Sequence, residues 1–149
     1  MIIYLDTSAL VKRYVVESGS KEVIALLAQA DSVGSAMLTQ VEMASALAKA
    51  VRMNWVEAEN AEIAWQDFLS QWPSFARLSV TPGLVERAAS LAWEYGLRGY
   101  DATHFAAALI WQEMLEMPIT LATFDRELWV VAKKAGMEVW PETLPIQNQ

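Results

Sequence analysis

The sequence predicts an α/β fold with a central parallel sheet and helices on both faces, and three observations carry that prediction. Short apolar runs of strand length alternate with longer stretches of helical spacing along the chain. Gly34, Pro73, Pro82, Gly96, Gly99, Pro118 and Gly136 punctuate that alternation where turns are needed. The 149 residues, 54% of them hydrophobic and 19% charged, suit one domain with a single sizeable core.

Taken in order, the apolar run Ile2–Leu5 reads as a first strand, followed by helical stretches at 8–16 and 20–30. Val33–Met37 is the second strand, and the helix after it, 39–53, opens with Thr39 and Glu42 at capping-box spacing. A fourth helix over 56–72 carries Trp65, Phe68, Leu69 and Trp72 on one side and Glu57, Glu59, Glu62 and Asp67 on the other, and Pro73 ends it. Leu78–Val80 is a third strand; Pro82 then starts a helix that runs to 95 and stops at Gly96. A helix at 101–116, a strand Ile119–Thr123, a helix at 125–135 and a last strand Glu138–Trp140 complete the pattern. The unbroken apolar character of the first and fourth strands suits central positions. Residues 1–140 form the domain, and 141–149, with two prolines and a polar end, read as a tail.

Composition excludes several classes. Without cysteine there is neither a thiol nucleophile nor a sulfur-bound zinc, so metal ligands must be oxygens or the single histidine, His104. No Gly-x-x-x-x-Gly-Lys-Ser/Thr run follows a strand, which removes a P-loop ATPase. Thr7-Ser8 after Asp6 lacks the second acid that an aspartyl-phosphate enzyme wants. The longest apolar run, Phe105 to Trp111, is too short for a membrane span, and no basic leader precedes Asp6, so a cytoplasmic protein without membrane attachment is expected. A net charge of −7 argues against holding nucleic acid by bulk charge neutralisation.

The acids are placed more tellingly than they are counted. Asp6 ends the first strand, Asp125 follows the fourth, Asp101 opens a helix after Gly99-Tyr100, and Glu42 lies one turn into the helix after the second strand. Each alone also reads as a helix cap. In a parallel sheet, however, these corners meet at one edge, beyond the carboxyl ends of the strands. Two carboxylates 4 Å apart repel by about 4 kcal/mol at an effective dielectric near 20, so a cation among them is the natural remedy. An all-oxygen set points to Mg²⁺ or Mn²⁺ and to phosphate chemistry.

The segments Leu5-Asp6-Thr7-Ser8-Ala9-Leu10-Val11-Lys12, Val41-Glu42-Met43-Ala44-Ser45-Ala46-Leu47, Leu97-Arg98-Gly99-Tyr100-Asp101-Ala102-Thr103-His104 and Thr123-Phe124-Asp125-Arg126-Glu127-Leu128 resemble the PIN-domain family. Within it they are most similar to ribonuclease toxins of the VapC type, in the family's order and over residues 2 to about 140. The resemblance implies a three-layer α/β/α domain and an endoribonuclease of a toxin–antitoxin system that uses Mg²⁺ or Mn²⁺. It also implies a homodimer, kept silent by a small VapB-type antitoxin. Asp6, Glu42, Asp101 and Asp125 match the family's acids, and Ser8 and Thr123 match hydroxyl residues that orient them.

On this reading Asp6, Asp101 and Asp125 hold the metal, and Glu42 ligates it or positions the attacking water. One histidine does not supply the acid and base pair that a metal-free ribonuclease needs, so hydrolysis to 5′-phosphate and 3′-hydroxyl ends is expected. Lys12, Arg13, Arg98 and Arg126 flank the acids in sequence and are candidates for RNA phosphates, or simply solvated helix ends. His104 reads as structural, and the tryptophans as packing, with part of the stripe at 65–72 open to a dimer mate or antitoxin helix. Two alternatives stand beside the toxin: a non-catalytic PIN-like interaction module, and a PIN-type nuclease outside toxin–antitoxin systems.

Overall fold

Strand β1 (Ile2–Leu5) is the spine of the sheet in the computed structural model, which describes residues 1–143. It pairs with β2 (Ser32–Ala36) on one side and β4 (Thr120–Ala122) on the other. β3 (Ala76–Leu78) and β5 (Glu138–Trp140) form the edges, giving the order β3-β2-β1-β4-β5, parallel throughout. The first and fourth strands are interior, as their apolar continuity suggests. Residues 144–149, most of the expected tail, lie outside the described residues; at its start, the Trp129 indole N–H donates to the Pro141 carbonyl.

Seven α-helices among the described residues cover the two faces: α1 (Thr7–Tyr14), α2 (Ser20–Ala28), α3 (Leu38–Arg52), α4 (Ala58–Gln71), α5 (Pro82–Tyr95), α6 (Gly99–Leu115) and α7 (Arg126–Lys134). The pleat of β1 sorts the two cores. Ile3 and Leu5 point to one face and pack with Leu10, Val23, Met43, Phe68 and Trp72. Tyr4 points to the other, among residues of α5, α6 and α7 such as Leu84, Phe105 and Leu128. Fully buried side chains of this size contribute roughly 1.5–3 kcal/mol each, so the layers hold chiefly by apolar burial. The result is the three-layer α/β/α arrangement expected. No helix among the described residues is long and apolar enough to cross a membrane.

Three local departures have physical causes. The third strand comes two residues early because its register is set by β2, with Ala76 and Leu78 opposite Gly34 and Ala36, and Val80 is left 42% exposed. The capping box is absent: Met37 is the N-cap residue, Thr39 is tied to the Ser35 hydroxyl at 2.7 Å, and Glu42 faces away from the helix start. The aromatic stripe of α4 is core, with Phe68 and Trp72 buried and Trp65 and Leu69 half-buried against them.

Strand β2 must pass directly beneath Trp111 of α6. A Cβ on Gly34 would stand 2.7 Å from both Cη2 and Cζ3 of that ring, so glycine is required here by space alone. Gly34→Ala is therefore expected to destabilise the protein by about 1–3 kcal/mol in urea unfolding. Combining it with Trp111→Leu should cost less than the sum of the two single changes, because the smaller side chain removes the clash.

Candidate functional site

The strand order reverses direction at β1 and β4, and in such sheets ligands bind beyond the carboxyl ends of the strands at that point. Asp6 follows β1 directly and is the N-cap of α1, its Oδ1 accepting from the Ala9 amide at 3.1 Å. It is 3% exposed. Two hydroxyls also donate to it: Ser8 Oγ to Oδ1 at 2.7 Å and Thr123 Oγ1 to Oδ2 at 2.6 Å. Burial pushes its carboxyl above the ordinary value, while His104, Thr123, Ser8 and the Ala9 amide pull against that.

Those hydroxyls also knit the two strand ends together. Thr123 Oγ1 accepts from the Asp125 amide at 2.9 Å, and Ser8 Oγ accepts from the Phe124 amide at 3.0 Å. Asp125 in turn caps α7, its Oδ1 accepting from the Leu128 amide at 3.0 Å. Asp6 and Asp125 are thus helix caps that keep a second carboxylate oxygen for other partners, Thr123 and Arg98 respectively.

Asp101 is not a cap. Helix α6 begins at Gly99, earlier than its periodicity suggests, which places Asp101 inside the first turn, buried but thinly covered. Burial and the nearby charge of Asp125 push its carboxyl up to about 6, with Arg98 working in the opposite direction. Arg98 bridges the two acids, Nε to Asp101 at 3.2 Å and a terminal nitrogen to Asp125 at 2.6 Å. Glu42 arrives from α3 with Oε1 accepting from the Thr7 hydroxyl at 2.8 Å and lying 2.6 Å from His104 Nε2. Burial works to raise Glu42, but the His104 and Thr7 contacts prevail and hold it below the ordinary value.

Of the four basic residues singled out in the sequence, Arg98 is the one paired with the acids. Lys12 and Arg13 occupy the last turn of α1, the opposite end from Asp6, where positive charge suits the helix dipole. Lys12 donates to Glu17 at 3.2 Å and to the Ser18 carbonyl at 2.7 Å and lies over the Phe124 ring, while Arg13 lies over Tyr14. Arg126 is exposed at the start of α7. Sequence reasoning passed over Thr7 and Tyr4, and set His104 aside. Strand alternation offered a signal for one of them, since Tyr4 and Asp6 sit two positions apart on a common face.

Among the described residues no three Asp, Glu, His or Cys side chains form a ready-made ion cage. Their oxygens are turned into hydroxyl, imidazole and guanidinium partners, and no buried side-chain nitrogen or oxygen among the described residues lacks one. The donor chemistry nevertheless fits a hard divalent cation. The oxygens are carboxylates, Asp6 and Asp101 are both pushed toward protonation, and the one guanidinium bridging Asp101 and Asp125 is largely exposed.

Fold and site together define a three-layer α/β/α domain with acids gathered at the switch point of its sheet. The chain belongs to the PIN-domain family, whose model matches residues 3–134. It is 34% identical over 146 residues, 96% of this chain and 97% of the relative, to Ribonuclease VapC45 of Mycobacterium tuberculosis. Among solved structures it resembles PAE2754 from Pyrobaculum aerophilum, with a TM-score of 0.63 and 26% identity over 93% of this chain and 83% of that one. The fold is also that of VapBC-5 from M. tuberculosis, described as a member of the VapBC family of toxin–antitoxin systems, with a TM-score of 0.58 and 16% identity over 93% and 96% of the chains.

The raised Asp101 has a definite sign in stability. Its folded value near 6 lies above the ordinary 3.8, so the folded metal-free protein binds the proton more tightly. That contribution is fully present below the ordinary value and lost as pH rises through about 6. Asp101→Asn removes it. The variant should therefore gain on the wild type by about 1–2 kcal/mol between about pH 4 and pH 7, less than the full shift implies because water screens a thinly covered site. Chemical unfolding with chelator across that range measures it.

Proposed function

We propose that this protein is a metal-dependent endoribonuclease, the toxin of a type II toxin–antitoxin pair, with Asp6, Glu42, Asp101 and Asp125 as its catalytic acids. The observation that carries the reading is the meeting of acids from the end of β1, α6 and the β4 turn, Asp6 and Asp101 buried and Arg98 bridging Asp101 and Asp125, with Asp101 raised to about 6. Such a site is poised for a cation rather than for stability. The 34% identical relative that is named a ribonuclease supports RNA as substrate.

The metal is Mg²⁺ or Mn²⁺, since both accept few carboxylates and keep waters. When bound, it supplies Lewis-acid polarisation of a phosphoryl oxygen and a more acidic water. Asp6, Asp101 and Asp125 are the residues that would hold it. Ser8 and Thr123 fix the orientation of Asp6, each at under 3 Å, so its carboxylate does not need to reorganise during reaction. Glu42, half-buried with its carboxyl held below the ordinary value, is ionised at neutral pH and orients the attacking water and accepts its proton. Arg98, with both acids as partners and more than half its side chain exposed, is placed to pair with a substrate phosphate, and would be released to do so were Asp101 and Asp125 to hold a cation. Lys12, Arg13 and Arg126 are further candidates for the RNA backbone, and the products carry 5′-phosphate and 3′-hydroxyl ends.

The toxin acts in the cytoplasm as a homodimer and is silenced by a VapB-type antitoxin, a partnership supported by the likeness to the VapBC-5 structure. Incubation with cellular RNA and Mg²⁺ or Mn²⁺ is expected to give chelator-sensitive cleavage with those ends. Asp101→Asn should reduce turnover at least about a hundredfold with folding intact. Unchanged cleavage in the variant or in chelator would overturn the proposal, and no cleavage by the wild type would overturn it in favour of a non-catalytic interaction module. Independently of turnover, Mn²⁺ at about a hundred times its Kd should stabilise the wild type by about 2.7 kcal/mol, and Asp101→Asn much less.

A further inference from the structure

The chain's one histidine is buried, its side chain only 2% exposed, one turn beyond Asp101 on α6. Both ring nitrogens are engaged. Nδ1 lies 2.7 Å from the Tyr4 hydroxyl and Nε2 lies 2.6 Å from Glu42 Oε1. Tyr4 is fully buried on the central strand and meets the imidazole edge-on, with ring centroids 5.9 Å apart.

Hydrogen-bond accounting selects one arrangement of protons. An ionised carboxylate only accepts, so Nε2 carries the hydrogen that Glu42 receives. Nδ1 of that tautomer is an acceptor, and the Tyr4 phenol has a single hydrogen to give it. A tyrosine hydroxyl, with an ordinary value of about 10, keeps that hydrogen at neutral pH. Both of Glu42's hydrogen bonds, from His104 and from Thr7, fall on Oε1. Oε2 is left without a protein partner among the described residues, on a side chain that is 23% exposed.

We propose that Tyr4 and His104 are a positioning pair: Tyr4, donating to Nδ1, anchors the imidazole ring, and the Nε2–H holds Glu42 by one oxygen so that the other faces the attacking water. This rests on the nuclease reading for its consequence but not for its geometry. Neither residue touches the reacting atoms; both act through Glu42. The pairing follows the logic by which a hydrogen-bonded neighbour sets the orientation of a working side chain, and loss of such a neighbour costs about 10–100-fold in activity.

Because there is one histidine, a protein labelled with ¹⁵N in that ring reports His104 without ambiguity. Metal-free wild type should show the Nε2–H tautomer with a hydrogen-bonded Nδ1, and Tyr4→Phe, which keeps the ring and loses the hydroxyl, should keep that tautomer and shift the Nδ1 resonance toward that of an unbonded acceptor. An Nδ1–H wild type, or an Nδ1 resonance indifferent to Tyr4→Phe, would overturn the proposal. In the cleavage assay His104→Asn, whose amide is too short to reach Glu42, should lower kcat about 10–100-fold at a temperature well below its reduced thermal midpoint, with KM little changed. His104→Gln places an amide N–H where Nε2 stands and should restore most of the rate. In a Glu42→Gln background His104→Asn should cost nothing further, and additive losses would refute action through Glu42. Equal losses in His104→Asn and His104→Gln that track the thermal midpoint would mean packing alone. Failure of the nuclease reading is separately visible, as absence of chelator-sensitive cleavage in a wild type whose tautomer is still Nε2–H.

Discussion

Asp6 is a carboxylate with almost no accessible surface at the end of the central strand, and the geometry around it depends on how its burial is compensated. An unpaired charge there would cost several kcal/mol, so the fold surrounds it with three donors from two strand ends. The Ala9 amide comes from the helix that Asp6 starts, the Ser8 hydroxyl from the same turn, and the Thr123 hydroxyl from the end of β4. Ser8 and Thr123 also accept from the amides of Phe124 and Asp125. Compensating one carboxylate thus fixes the β1 and β4 turns relative to each other, and with them the start of α7.

That clamp makes a site possible and also leaves it electrostatically uneasy. Four acids reach the same rim, and the fold supplies two kinds of local relief. Glu42 is settled by His104 and Thr7 and lies below its ordinary value, whereas Asp101 is left near 6 with a largely exposed guanidinium as its partner. Groups whose environments drive them apart in this way commonly divide chemical labour. The settled member suits work on a water molecule, and the unsettled ones suit a cation.

The acids are closed upon partners of this chain rather than left open. Each carboxylate has a protein partner, and Arg98 stands between Asp101 and Asp125, where positive charge relieves their repulsion. This reconciles a cation-ready set of donors with the absence of a preformed cage among the described residues. It also explains how a chain of net charge −7 folds with acids side by side: local pairing decides the energy, while distant surface charge is screened.

Much of this was legible in the sequence. The period of the apolar residues determined the strands and helices and their order, because burial of one face imposes that period locally. The corner positions of Asp6, Asp101 and Asp125, and Glu42 one turn into its helix, were readable for the same reason. Only the tertiary structure decided which bonds those residues make. The Thr39–Glu42 spacing is that of a capping box, yet Glu42 is claimed by Thr7 and His104 from elsewhere in the chain. Lys12 and Arg13 lie near Asp6 in sequence but at the far end of its helix, while Arg98 reaches both Asp101 and Asp125. Tyr4 and His104, 100 residues apart, meet because the central strand packs beneath α6. Periodicity is a local property written along the chain, whereas the partner of a buried polar group is chosen by whatever the folded layers bring within about 3 Å of it.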